Sequence, residues 1–202
     1  MTLRTETLTG PAIAQYVPAL ARLRRIVFRD WPYLYEGDDG QEQTYLSAFA
    51  RSPDAALVVA FDGEAPVGCS TCLPLAHESA NVRAPFEARG WEVQGFCYFG
   101  ESVLLAEYRG QGIGVAFFAG REAHARTLPG VEFCCFCAVR RAADDPRRPP
   151  DAVPLDDFWR HRGYARIPDL ACEMTWLEVD GAGKVRHVLD FWGKPLTGAA
   201  LP

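Results

Sequence analysis

Residues 96–126, FCYFGESVLLAEYRGQGIGVAFFAGREAHAR, decide the fold. Phe96 to Leu105 is a long, nearly apolar strand candidate. It runs into a glycine-rich turn, Glu107-Tyr108-Arg109-Gly110-Gln111-Gly112-Ile113-Gly114. A helix to about Arg126 follows, with Ile113, Ala116, Phe117, Gly120 and Ala123 on one stripe. Glycines at such a turn let a ligand approach the backbone closely, and the free amides and positive dipole of the helix start favour phosphate. Arg109 adds a donor fork that matches phosphate oxygens. The same turn also serves plain strand-to-helix packing. Two other glycine motifs drop out on spacing. A dinucleotide fingerprint needs a third glycine where Phe117 stands, and the G-K-[ST] end of a P-loop occurs nowhere in the chain.

Working outward, Val131–Val139 is a near-continuous apolar run bounded by Pro129-Gly130 and by charge, the pattern of a strand buried on both faces. Upstream, Leu57–Asp62 and Pro66–Pro74 read as a hairpin around Asp62-Gly63-Glu64-Ala65. Pro11 to Arg29 reads as a helix, with Pro18 kinking it or delaying its start. A short helix is expected around Glu42–Ala50 and another near Arg83–Arg89. Downstream, a charged, proline-rich loop from Arg140 to Pro154 precedes a short helix, Leu155–Arg162, ended by Gly163. Leu170–Val179 and Lys184–Phe191 flank Asp180-Gly181-Ala182-Gly183 as a second hairpin. The expectation is a mixed α/β sheet with helices on both faces.

The 202 residues are the size of one domain, and 49% hydrophobic composition supplies a core. A net charge of -5 argues against a nucleic-acid partner bound by counterion release. The longest purely apolar runs are seven residues, against roughly 20 for a membrane span. The first ten residues lack the apolar core of a signal peptide, so the expected setting is cytoplasmic. The seven cysteines (Cys69, Cys72, Cys97, Cys134, Cys135, Cys137 and Cys172) read as reduced core thiols. Cys69 and Cys72 form a C-x-x-C, but on a strand they face opposite sides, and no second pair has zinc spacing. No metal is expected.

The pattern R-x-x-G-x-G within LLAEYRGQGIG resembles motif A of the GNAT superfamily of acetyl-CoA-dependent N-acetyltransferases. Phe158-Trp159-Arg160-His161-Arg162-Gly163-Tyr164 is similar to that family's F-Y-x-x-x-G-F helix end. The resemblance covers most of residues 11–191. It implies a central twisted sheet of about six to seven strands with helices on both faces. It divides a single domain, 1–202, into N-terminal helices and acceptor-side loop (11–54), a coenzyme-binding core (96–139), and a C-terminal helix and hairpin (155–191). It implies acetyl-CoA as co-substrate and an amine acceptor, on a small molecule or a peptide. The backbone of Ser102, Val103 and Leu104 would meet the pantetheine and thioester. Arg109, Gly110, Gln111, Gly112, Ile113, Gly114 and Val115 would cradle the pyrophosphate.

Glu101 is a carboxylate in a nearly apolar strand, costly there unless paired or functional. Burial would raise its pKa and suit it to act as a general base. In the family a strand glutamate often stands at this distance before the motif arginine. The other reading is a structural carboxylate paired with an arginine. The family's thiolate-protonating tyrosine corresponds to Trp159, whose indole has no useful acidity. Tyr164 matches a packing aromatic, which leaves protonation of the thiolate to water or another residue. The loop Asp30–Gly40 carries Trp31, Tyr33 and Tyr35 beside Glu36, Asp38 and Asp39. Aromatic faces and carboxylates suit a cationic amine, and the same residues also fit a solvated loop with its aromatics tucked inward. His77 and His161 are weak base candidates. Arg147 and Arg148 are placed to reach the adenosine 3′-phosphate or to lie in a solvated loop. The hairpin around 180–183, with Phe191-Trp192, offers an edge for a homodimer. A different class of function also fits: a coenzyme A or acyl-CoA binding module without catalysis.

Overall fold

The computed structural model describes residues 3–37, 46, 49–198 and 200–202. Seven strands form one sheet in the order β1-β2-β3-β4-β5-β7-β6. They are β1 (Leu3–Thr9), β2 (Ala56–Asp62), β3 (Ala65–Pro74), β4 (Phe96–Leu104), β5 (Phe133–Val139), β6 (Ala165–Leu177) and β7 (Lys184–Pro195). The helices are α1 (Val17–Phe28), α2 (Ala80–Glu87), α3 (Ile113–Ala125) and α4 (Asp156–His161). Only β4 and β5 run parallel, as the intervening α3 crossover requires; every other neighbouring pair is antiparallel.

One face of the sheet buries Leu20 and Leu23 of α1 and Val82 and Phe86 of α2 against Val59, Phe61, Phe96, Tyr98 and Phe191. The other face packs Phe118 and Ala125 of α3, with Phe158 and Trp159 of α4, against Phe99, Cys134, Phe136 and Trp192. Cys69 and Cys72 fall on opposite faces, as strand alternation dictates. All seven cysteines are free thiols.

Several expectations change. β1 is an additional edge strand. Its sequence, LRTETLT, has only two apolar residues because its side chains are largely exposed, so its alternation carries little signal. The N-terminal helix starts late. Gly10–Tyr16 is a 3₁₀ turn, and Pro18 sits in the first turn of α1, where its missing N–H costs nothing. The inward stripe of α3 is Ile113, Phe117, Phe118, Arg121, Glu122 and Ala125, while Ala123 is exposed. Two charged residues on the buried face conceal the true periodicity. Phe191 and Trp192 lie buried on the interior strand β7, at 0% and 3% exposure, so they supply no edge for a dimer. Leu46 and Phe49 are buried, but most of the helix expected over 42–50, with Asp38 and Asp39, lies outside the described residues.

Candidate active site

The parallel pairing of β4 with β5 lasts only three residues, Phe96 to Tyr98 against Phe133 to Cys135. Beyond that point β4 stays with β3 as far as Leu104, while β5 stays with β7 as far as Val139. The two central strands therefore diverge and leave a wedge in the sheet.

A β-bulge sits where the wedge opens. Ser70 pairs with Ser102 and Cys72 with Phe99, so Gly100 and Glu101 together oppose Thr71. Thr71 Oγ1 accepts the Glu101 N–H at 2.7 Å. The extra residue inverts the alternation of β4. Phe99 faces α3, whereas Glu101 and Val103 face α1. Ser102 is exposed, with its side chain on the α3 side of the strand.

At the far end of the wedge, Gly110 and Gly112 turn the chain with φ of 75° and 83°, values that glycine adopts without strain. Gly112 has no side chain to cap α3, and the first helical bond is Ala116 N–H to the Gly112 carbonyl at 3.1 Å. The amides ahead of it have no helical acceptor and stand at the positive end of the helix. Arg109 is exposed beside them, its Nε donating to the Leu104 carbonyl at 3.4 Å, and Gln111 Nε2 donates to the Glu107 carbonyl at 3.1 Å. A Cβ on Gly114 would lie 3.3 Å from the Phe158 ring, so glycine here lets α4 close against the start of α3. Ile113 is buried as an anchor, and Val115 is exposed. The turn thus brings together every residue from Arg109 to Val115 that the sequence pointed to.

Glu101 is 6% exposed, and the guanidinium of Arg24 on α1 meets its carboxylate. Its setting is that of a paired carboxylate, not an isolated one. Two more groups surround the same spot. Burial pushes the Glu78 carboxyl up, the charge of Glu101 adds to that, and the Ser79 N–H donates to Glu78 Oε2 at 3.0 Å. Burial also pushes the Tyr33 phenol up, with Cys137 and Glu101 contributing. Across the wedge the Tyr98 hydroxyl lies 3.1 Å from Cys137 Sγ. Arg24 and Glu78 carry no local sequence signal; only the packing of α1 and the end of β3 onto the sheet reveals them.

The segment 30–36 is clamped onto the β6–β7 hairpin. Glu36 N–H donates to the Leu177 carbonyl at 2.8 Å, Val179 N–H donates to Leu34 at 2.7 Å, and Tyr35 bridges Glu178. Tyr33 packs against Phe28 and Trp176 at 4.5 and 6.0 Å between ring centroids. Arg141 donates to the carbonyls of Pro32 and Tyr33 at 2.6 and 2.8 Å and covers the Trp31 ring. Glu36 pairs outward with Arg29. Of the four expected acceptor-side residues, Tyr33 lies within electrostatic range of Glu101. Arg147 pairs with Asp145 and the buried Glu178, and Arg148 Nη2 donates to Ala152, so this part of the loop is ordered by its own partners. Arg162 stacks on Phe158, whose ring lies against Gly114 at the start of α3.

The sequence model of the Acetyltransferase (GNAT) family matches residues 20–148. The chain belongs to that family. A search of curated protein sequences finds no match. Among solved structures, an aminoglycoside 6′-N-acetyltransferase complexed with coenzyme A is 14% identical, with 100% of each chain covered and a TM-score of 0.59. The ribosomal-protein-alanine N-acetyltransferase from Brucella melitensis is 16% identical, covering 96% of this chain and 99% of that one, with a TM-score of 0.59. The yncA protein of Salmonella typhimurium, solved with acetyl-CoA, is 11% identical, covering 100% and 98%, with a TM-score of 0.60. At such identities the likeness is one of fold.

Within the GNAT frame, the two aromatic residues near the C-terminal helix are both packed. Trp159 wedges between Phe136 and Trp192, at 5.1 and 5.0 Å. Tyr164 is 2% exposed, packs on Phe118 and Phe136, and donates its hydroxyl to Glu122 Oε1 at 3.1 Å. Burial drives its phenol upward, with the negative charge of Glu122 contributing, so it is a poor acid. His77 shares a 2.8 Å hydrogen bond with Ser52, and His161 lies at the end of α4.

Proposed function

We propose that this protein transfers the acetyl group of acetyl-CoA directly to a primary amine. The observation that carries this reading is the wedge between β4 and β5, which ends at the uncapped, glycine-led start of α3. The amides before Ala116, with Arg109, hold the pyrophosphate. The backbone of Ser102, Val103 and Leu104 lines the pantetheine path, and donors there meet the oxyanion as it forms. The coenzyme is thereby fixed with its thioester near the bulge, and positioning supplies much of the rate.

The acceptor approaches from the α1 side. Glu101, paired with Arg24, takes the proton of the acceptor nitrogen directly or through water. Tyr33 and Glu78 border that approach. Two structural neighbours act on an aminoglycoside and on a ribosomal-protein alanine, so small-molecule and peptide amines both belong in the acceptor class. Among the described residues no helix is long and apolar enough to cross a membrane. The free cysteines and the use of acetyl-CoA favour a cytoplasmic setting.

Calorimetric titration with acetyl-CoA, followed by thiol release with a panel of amines, tests the reading. Micromolar binding and amine-dependent thiol release are expected. The packed indole of Trp159 favours one second reading, a coenzyme-binding module without catalysis. It predicts binding with no thiol release.

A further inference from the structure

We propose that Arg121 receives the leaving thiolate of the coenzyme, in place of a proton-donating phenol. This rests on the coenzyme reading above. Arg121 lies on the sheet-facing side of α3, about 12 Å along the axis from Ile113 at about 1.5 Å per residue. It is 2% exposed. Its guanidinium covers Phe99 and Phe118 at 4.3 and 4.7 Å from the ring centroids. Nε donates to the Phe117 carbonyl at 3.2 Å, and Nη1 donates to the Glu101 carbonyl at 3.4 Å. The second bond places the cation at the bulge, on the peptide that leads into Ser102.

No carboxylate among the described residues pairs with Arg121. The adjacent Glu122 is taken by Lys194 at 2.8 and 2.9 Å, by Arg126 at 3.6 Å and by the Tyr164 hydroxyl. The titratable groups facing Arg121 are Cys72, Cys97, Cys134 and Tyr164. Hydrogen bonds from Cys134 and Cys72, together with burial, hold the Cys97 thiol up, and burial does the same to Tyr164. A guanidinium stays charged in neutral solution, and burying one without a counter-anion is costly. The reaction itself brings the anion. As the acceptor nitrogen bonds to the carbonyl carbon it gives up a proton toward Glu101. The carbon–sulfur bond then breaks and its electron pair stays on sulfur. The thiolate pairs with Arg121 and takes a proton from solvent on release. No acid is needed in the site, in keeping with Trp159 and Tyr164 both being packed.

The test uses the full chain with coenzyme A itself, titrating the ultraviolet thiolate band of the bound coenzyme against pH. The bound thiol is expected to ionise about one unit or more below a free thiol, which ionises near 8.5. Arg121→Gln, which keeps a donor for the Glu101 carbonyl, is expected to abolish that shift, and Arg121→Lys to keep most of it. A bound thiol that ionises like the free one, or a shift that survives in Arg121→Gln, overturns the proposal while leaving the coenzyme site intact. Should Arg121→Gln not fold, the wild-type titration still decides against the proposal if it shows no shift. Failure of coenzyme A to bind at all overturns both this inference and the reading beneath it.

Discussion

Arg24 of α1 meets the carboxylate of Glu101 on the face of the sheet to which the bulge turns it. The pair joins a helix near the N-terminus to the strand at the centre of the site. Both partners are mostly buried, with side-chain exposures of 13% and 8%. Removing one partner leaves a charge in a poorly solvated place. Arg24→Met is expected to cost about 3–5 kcal/mol, read by urea unfolding. A loss under 1 kcal/mol would mean that water solvates Glu101 freely.

For Glu101→Gln, a lower kcat and a flattened alkaline rise of rate are expected, with acetyl-CoA affinity unchanged. The amide cannot accept the acceptor's proton. An identical pH profile for mutant and wild type would remove Glu101 from the proton path.

Arg109 is exposed and bonds only weakly to its own backbone, so Arg109→Ala is expected to leave the fold intact. Coenzyme affinity should fall about tenfold or more, since a hydrogen bond to a charged group is worth about 1.5–3 kcal/mol. Titration calorimetry reads this directly. Equal affinity for the mutant would remove Arg109 from the pyrophosphate site.

Tyr164→Phe separates packing from acid catalysis. The ring stays among Phe99, Phe118 and Phe136, while the bond to Glu122 is lost. Stability is expected to drop by about 1 kcal/mol with turnover retained. A collapse of kcat at unchanged affinity would make this phenol the thiolate acid after all.

Acid should loosen the clamp on segment 30–36. His187 stacks on Trp176 at 3.7 Å between centroids, and its Nε2 lies 3.6 Å from Glu178 Oε1. Burial, then the charge of Arg141, lowers its pKa below the usual 6.5. The unfolded chain therefore takes up this proton first, and stability falls as pH drops below 6.5. Burial works to raise the Glu178 carboxyl, but the hydrogen bonds from Arg147 and Arg141 more than offset it and leave it lowered. Its contribution is present above about 4.5 and is lost at lower pH. Thermal melts from pH 7.5 to 4 should show a falling Tm that is shallower in His187→Gln; identical slopes would remove His187 from the linkage.

Local pattern was enough for the strand, glycine turn and helix of residues 96–125, because apolar runs and glycine placement act over a few neighbouring residues. The same holds for both hairpins and for the free amides at the start of α3. β1 was illegible because an edge strand buries too little to need apolar alternation. The face on which Glu101 lies is a matter of register with β3, set by one extra residue at Gly100–Glu101. Its partner Arg24 reaches it only because α1 packs across that face.

The sequence by itself determined that a glycine-rich turn stands between a buried strand and a helix. The tertiary structure alone decided the wedge between β4 and β5, the pairing of Glu101, and the burial of Arg121 with no carboxylate partner among the described residues. Those depend on which strands part and which side chains meet from distant segments, and periodicity within one segment carries no record of either.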